Sequence, residues 1–154
     1  MTCASPSACC MMASPTPPSE HSPTLSTVLA WYAAAASWDF DALANLFDDT
    51  YHHKTIPAIA DDGIKDKEKA LAYARSISEA LGKLPMKYEI FDHIESDNRV
   101  WAHSRLYAEE DGKTLFNNES IFLFTLTEGD KPKVKEIREF VDTKTLSDWK
   151  SQSL

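Results

Sequence analysis

Glu139 lies in the segment Ile137-Arg138-Glu139-Phe140-Val141-Asp142, whose apolar and polar side chains alternate as on a pleated strand. Alternation puts Glu139 on the face of Ile137 and Val141, while Glu136, Arg138 and Phe140 take the other, wetter face. A carboxylate among apolar neighbours is costly. Either it is paired, for instance with Arg105 or Arg138, or its pKa rises and it becomes useful for proton transfer. His53, in Tyr51-His52-His53-Lys54-Thr55-Ile56-Pro57, is the next candidate. Consecutive histidines on a strand point to opposite faces and cannot share one ion, which argues against a metal site. His53 then reads as an acid/base partner or as a hydrogen-bonded histidine at a strand end.

A second set alternates along Arg99 to Glu109, where His103 and Arg105 share a face with Trp101 and Tyr107. If that face lines a pocket, His103 is a general acid or base near neutral pH and Arg105 stabilises a developing enolate or carboxylate. If it is the outer face, Trp101 and Tyr107 belong to a dimer interface and His103 is a surface residue. Period alone does not choose between the two. No Gly-rich phosphate loop and no Gly-x-Ser-x-Gly elbow is present, and no Cys occurs after position 10, so neither a cofactor nor a covalent nucleophile is expected.

The elements that must carry these residues follow from the spacing. Leu25, Val28, Leu29 and Tyr32 repeat at helical period from Thr24, and the Ala33 to Ala36 run favours the helix further. Asp39 can cap a second short helix through Leu46. A short edge strand follows, up to Pro57, and Asp61-Asp62-Gly63 turns the chain. A third helix spans Lys67 to Leu81 with Ala70, Tyr73, Ala74, Ile77 and Leu81 as its buried stripe, and Gly82 as its stop. The period then changes to two. Lys87 to Glu95, Arg99 to Glu109, Thr114 to Thr127 and Val134 to Val141 are four strands separated by Ser96-Asp97-Asn98, Asp111-Gly112 and Gly129-Asp130-Lys131. A last short helix from Thr143 can be capped by Asp142. The order ααβαββββ, helices first and then an antiparallel meander, is an α+β arrangement.

The chain has 154 residues, which allows one domain. Most of its eight Pro fall between positions 6 and 23 among Ser, Thr and Ala, so residues 1–23 read as a disordered tail and 24–154 as the domain. Its net charge of -8, without a basic stripe, argues against nucleic acid as a partner. No apolar run approaches the roughly 20 residues that cross a bilayer. Cys3, Cys9 and Cys10 all lie in the tail, which fits a reducing, cytoplasmic setting.

Three segments carry a resemblance. His53-Lys54-Thr55-Ile56-Pro57, Asn118-Glu119-Ser120-Ile121-Phe122 and Ile137 to Asp142 resemble motifs of small fungal SnoaL-like proteins, within the superfamily that includes polyketide cyclases, ketosteroid isomerase, scytalone dehydratase, limonene epoxide hydrolase and nuclear transport factor 2. The resemblance implies a cone of curled antiparallel sheet packed on three helices. The closing strand is also similar to that of limonene epoxide hydrolases, which implies a catalytic role for Glu139. Tyr51 and His53 fall where that family has Tyr and Asn, but Trp101 stands where it has a carboxylate. His93 falls near the place of a pocket histidine of scytalone dehydratase.

The resemblance further implies a cofactor-free enzyme of secondary metabolism. Such an enzyme would be a cyclase, isomerase or dehydratase moving protons on a small apolar, polyketide- or terpenoid-like molecule. Glu139, His53, His103 and Arg105 would do the chemistry, with Tyr51, Trp38, Tyr73, His93, Trp101, Asn118 and Glu119 around the substrate. A homodimer through the outer sheet face is implied as well. The alternative is a non-catalytic module of the same fold that binds a hydrophobic ligand or a protein.

Overall fold

The computed structural model describes residues 21–57 and 63–153. The expected tail with its cysteines and the Asp61-Asp62 part of the expected turn lie outside the described residues. Helix α1 (Pro23–Ser37) opens on Ser22, whose side chain accepts from the Leu25 amide, and it closes on Trp38 in the left-handed region at φ 58°. Asp39 caps α2 (Phe40–Leu46) by accepting from the Ala42 amide at 2.9 Å. The chain then forms β1 (Phe47–Ile56), the two-residue β2 (Lys65–Asp66), α3 (Lys67–Ala80), β3 (Lys87–Ser96), β4 (Arg99–Glu110), β5 (Lys113–Leu126), β6 (Val134–Val141) and α4 (Thr143–Ser153). Between β4 and β5, Asp111 and Gly112 take φ 50° and 75°, the paired positive values that a two-residue type I′ hairpin requires.

The strands form one curled six-stranded sheet in the order β2-β1-β6-β5-β4-β3. From β3 to β6 it is the expected antiparallel meander. The start of the chain differs from expectation. β1 is ten residues long and not an edge strand, because β2 pairs with one side of it and β6 with the other, the latter in parallel. Pro57 interrupts nothing, since it falls after the last paired residue, Ile56.

The helices cover one face of the sheet. On β4 that face carries Val100, Ala102, Ser104, Leu106 and Ala108, all buried, and on β5 it carries Phe116, Ser120, Phe122, Phe124 and Leu126. Trp31 and Tyr32 of α1 pack on these side chains, with ring centroids 5.2 to 6.0 Å from Phe122 and Phe124. Each large apolar side chain removed from water there contributes about 1.5–3 kcal/mol. Tyr32 is fully enclosed, and its hydroxyl meets the Ser104 hydroxyl at 2.7 Å, so neither group is buried without a partner. The expected stripe of α3 behaves differently. Ala70, Tyr73, Ala74 and Ile77 are only partly buried, because they face a cavity between α3 and the sheet.

Candidate active site

The cavity has a volume of about 130 Å³. An apolar cavity of about 150 Å³ accommodates benzene, so this one matches a single ring. Trp31, Ala35 and Trp38 reach it from α1 and its cap, Leu43 from α2, Ala70, Leu71, Tyr73, Ala74 and Ile77 from α3, and Leu106, Phe116 and Phe122 from the sheet. Trp38 is fixed as a wall because its indole N–H donates to the Leu84 carbonyl at 2.7 Å, while the Met86 amide donates to the Ala36 carbonyl. Phe116, in turn, is backed by Trp149 of α4, whose indole N–H donates to the Leu115 carbonyl. Polar side chains join these walls: Tyr51, His53, Thr55, Asn118 and Glu139.

Their meeting follows from strand pairing. On β1, Tyr51, His53 and Thr55 point inward and His52 and Lys54 point outward, as alternation requires. The parallel register pairs His53 with Ile137 and Thr55 with Glu139, so His53 and Glu139 are near neighbours on the inner face. His53 Nε2 lies 3.2 Å from Glu139 Oε2. The contact is an ion-pair distance without hydrogen-bond alignment, which leaves this buried nitrogen without a hydrogen-bond partner. From β5, the Asn118 amide donates to Glu139 Oε1 at 2.9 Å and the Ser120 hydroxyl donates to the same oxygen at 3.2 Å. Among the described residues Glu139 Oε1 thus has two donors and Oε2 has the off-line imidazole alone.

The electrostatics follow from this arrangement. Burial pushes the Glu139 carboxyl up, but the His53 ring, then Asn118 and Ser120, outweigh burial and hold it below its ordinary value. Glu139 is therefore a carboxylate at neutral pH, able to accept a proton and not to donate one. The Tyr51 hydroxyl is pushed far up, first by burial and then by the charge on Glu139. It stays protonated as a donor, and it makes no hydrogen bond to another described residue. Its ring is stacked on Phe47 at 3.8 Å.

The expected site residues divide cleanly. Glu139, His53, Tyr51, Trp38, Tyr73 and Asn118 all line the cavity. His103, Arg105, Trp101, His93 and Glu119, expected at the same site, lie outside this cavity. The small and apolar residues of β4 fill the inner face, so the alternate set faces out. There His103 meets Glu119 at 2.8 Å, and Arg105 meets Glu89 at 2.7 Å with its guanidinium over Tyr107. His93 is exposed on β3. The partner of Glu139 is His53, not Arg105 or Arg138; Arg138 binds Glu136 on the outer face. Asp142 is a cap, accepting from the Lys144 and Thr145 amides. Ser120 was missed, although its place two residues after Asn118 puts it on the same face. Among the described residues no group of three or more His, Cys, Asp or Glu forms a metal-binding cluster, and no helix is long and apolar enough to cross a membrane.

Comparison with known proteins places this geometry in context. The profile of the SnoaL-like domain matches residues 28–136. Among solved structures, PrhC from Penicillium brasilianum is similar at 15% identity and a TM-score of 0.70, covering 84% of this chain and 87% of its own. The BvnE pinacolase from Penicillium brevicompactum shares 14% identity at a TM-score of 0.69, covering 84% of this chain and 93% of its own. Bal32a, from a soil-derived mobile gene cassette, shares 25% identity at a TM-score of 0.66, covering 82% of this chain and 95% of its own. No curated protein sequence matches the chain.

Proposed function

We propose, from the premise that the chain belongs to the SnoaL-like family, that it is a cofactor-free enzyme moving a proton on a small apolar molecule held in the cavity. The observation that carries this reading is the buried His53–Glu139 pair lining a mostly apolar cavity together with the Tyr51 hydroxyl, which bonds to no other described residue. Glu139, ionised and held by Asn118 and Ser120, lies against the imidazole as a counter-charge for the transferred proton. His53 then delivers or takes the proton, and Tyr51 donates to an oxygen of the substrate. Each such acid/base group contributes about 10² to 10⁴ in rate. The reaction type is that of a cyclase, isomerase or dehydratase of secondary metabolism, and the fold likeness to a pinacolase is compatible with it. The family resemblance and the exposed apolar side chains of the outer face, Ile94, Leu123 and Phe140 among them, support a homodimer.

The test is a panel of single-ring alcohols, epoxides and ketones incubated in D₂O with the wild type, Glu139→Gln and His53→Ala. Product formation or carbon-bound deuterium in the wild type, reduced at least a hundredfold in both variants, is expected. Equal turnover in wild type and variants would overturn the assignment. A second reading, a module that binds a ligand without reaction, is favoured by one observation: the carboxyl of Glu139 is paired and lowered, as in a structural pair. Ligand binding to the cavity with no turnover across the panel would establish that reading.

A further inference from the structure

The cavity has a sign of charge as well as a size. Among the described residues its lining includes one carboxylate, Glu139, one imidazole, His53, and neither Lys nor Arg. The side chain expected to stabilise an anion, Arg105, faces the other side of the sheet and is paired there with Glu89. Lys65 lies beside the cavity wall, 5.2 Å above the Tyr73 ring, but does not line the cavity itself. The remaining walls include the rings of Trp31, Trp38, Tyr51, Tyr73 and Phe122. Aromatic faces carry a negative quadrupole and attract cations, most strongly where water is excluded. Of the two carboxylate oxygens, Oε1 is saturated by Asn118 and Ser120, whereas Oε2 meets only the misaligned His53 nitrogen. One acceptor is therefore left for a donor from the ligand.

From this geometry we infer that the cavity is built for a small organic cation: a ring of about seven heavy atoms whose ammonium, or whose positive charge developed during reaction, docks on Glu139 Oε2 within the aromatic walls. An anion of the same size would meet the carboxylate with no compensating cation. The inference shares with the proposed function only the placement of the site in this cavity, and adds the charge of what occupies it. For a proton-transfer enzyme it implies that the charge developing on the substrate is positive, not that of an enolate.

Two probes of equal size, cyclohexylammonium and cyclohexanol, and the slightly larger anion cyclohexanecarboxylate separate the possibilities, titrated into the isotope-labelled protein and followed by NMR shifts of the cavity residues. The ammonium is expected to bind at least about tenfold more tightly than the alcohol, and the carboxylate more weakly than either. Glu139→Gln, nearly the same size, brings ammonium and alcohol to within about twofold of each other. Should Glu139→Gln prove unfolded by its amide spectrum, His53→Leu serves instead: it offers no donor to Oε2, so the ammonium preference is expected to be kept or strengthened, and its loss overturns the inference. Equal or tighter binding of the alcohol or the carboxylate, no ammonium binding in the wild type, or an ammonium preference that survives Glu139→Gln overturns the inference. Loss of turnover in Glu139→Gln without any ammonium preference refutes the charge assignment and leaves the proposed reaction standing. An ammonium preference without turnover does the reverse.

Discussion

Asn118→Asp replaces the closer of the two donors to Glu139 Oε1 with a second carboxylate, and the structure fixes the size and the sign of the effect. The amide nitrogen now stands 2.9 Å from Glu139 Oε1. Two full charges at that distance repel by about 6 kcal/mol at an effective dielectric constant of about 20. Taking up one proton is less costly than that, since raising a carboxyl from about 4 to neutral pH costs about 4 kcal/mol at about 1.36 kcal/mol per unit. The pair is therefore expected to share a proton at pH 7, and the variant to lose about 3–4 kcal/mol of stability there. The sign runs opposite to the wild type. Glu139 has a lowered folded-state pKa, so its contribution is present above the unfolded value and is lost as the pH falls through the folded one. In the variant a carboxyl is raised in the folded state, so the difference between the two proteins shrinks as the pH falls. The expected recovery is about 1.4 kcal/mol per pH unit between pH 7 and 5, the slope of one proton. Urea unfolding of both proteins at pH 7, 6 and 5 measures it. A difference in stability that stays constant over that range would refute the Asn118–Glu139 contact and the charge state derived from it.

Further expectations follow from other contacts. Tyr32→Phe removes a buried hydroxyl and leaves Ser104 without its 2.7 Å partner, so a loss of about 1–3 kcal/mol is expected by chemical denaturation. Asp39→Ala removes the α2 cap and is expected to cost about 1 kcal/mol, with the far-ultraviolet spectrum largely unchanged. On the outer face, Ile94 and Phe140 are 61% and 51% exposed, and light scattering is expected to show a dimer for the wild type and a monomer for the double variant Ile94→Lys, Phe140→Lys. A wild-type monomer at high concentration would remove the dimer from the reading. Arg105→Ala, which breaks a half-exposed pair with Glu89 and the guanidinium's contact with the Tyr107 ring, is expected to change stability by no more than about 2 kcal/mol and to leave binding in the cavity unaltered.

Local pattern was enough for most of the architecture and for half of the site. Periods of 3.6 and 2.0, Asp39 as a cap and Asp111-Gly112 as a hairpin turn are properties of a few adjacent residues, and the observed elements match them within a residue or two. The same alternation sets Glu139 beside Ile137 and Val141, and separates His52 from His53. Alternation names two faces but not which one the helices cover. Only packing decides that His103 and Arg105 look outward, because Ser104 and the apolar side chains of β4 meet α1. Nor does any local signal specify that β1 lies parallel to β6, about eighty residues away in the chain. That pairing brings His53 to Glu139, and the curl of the sheet beneath α3 leaves the space in which they meet. The sequence by itself determined the carboxylate and its face; the long-range register decided its partner, its charge and the cavity it serves.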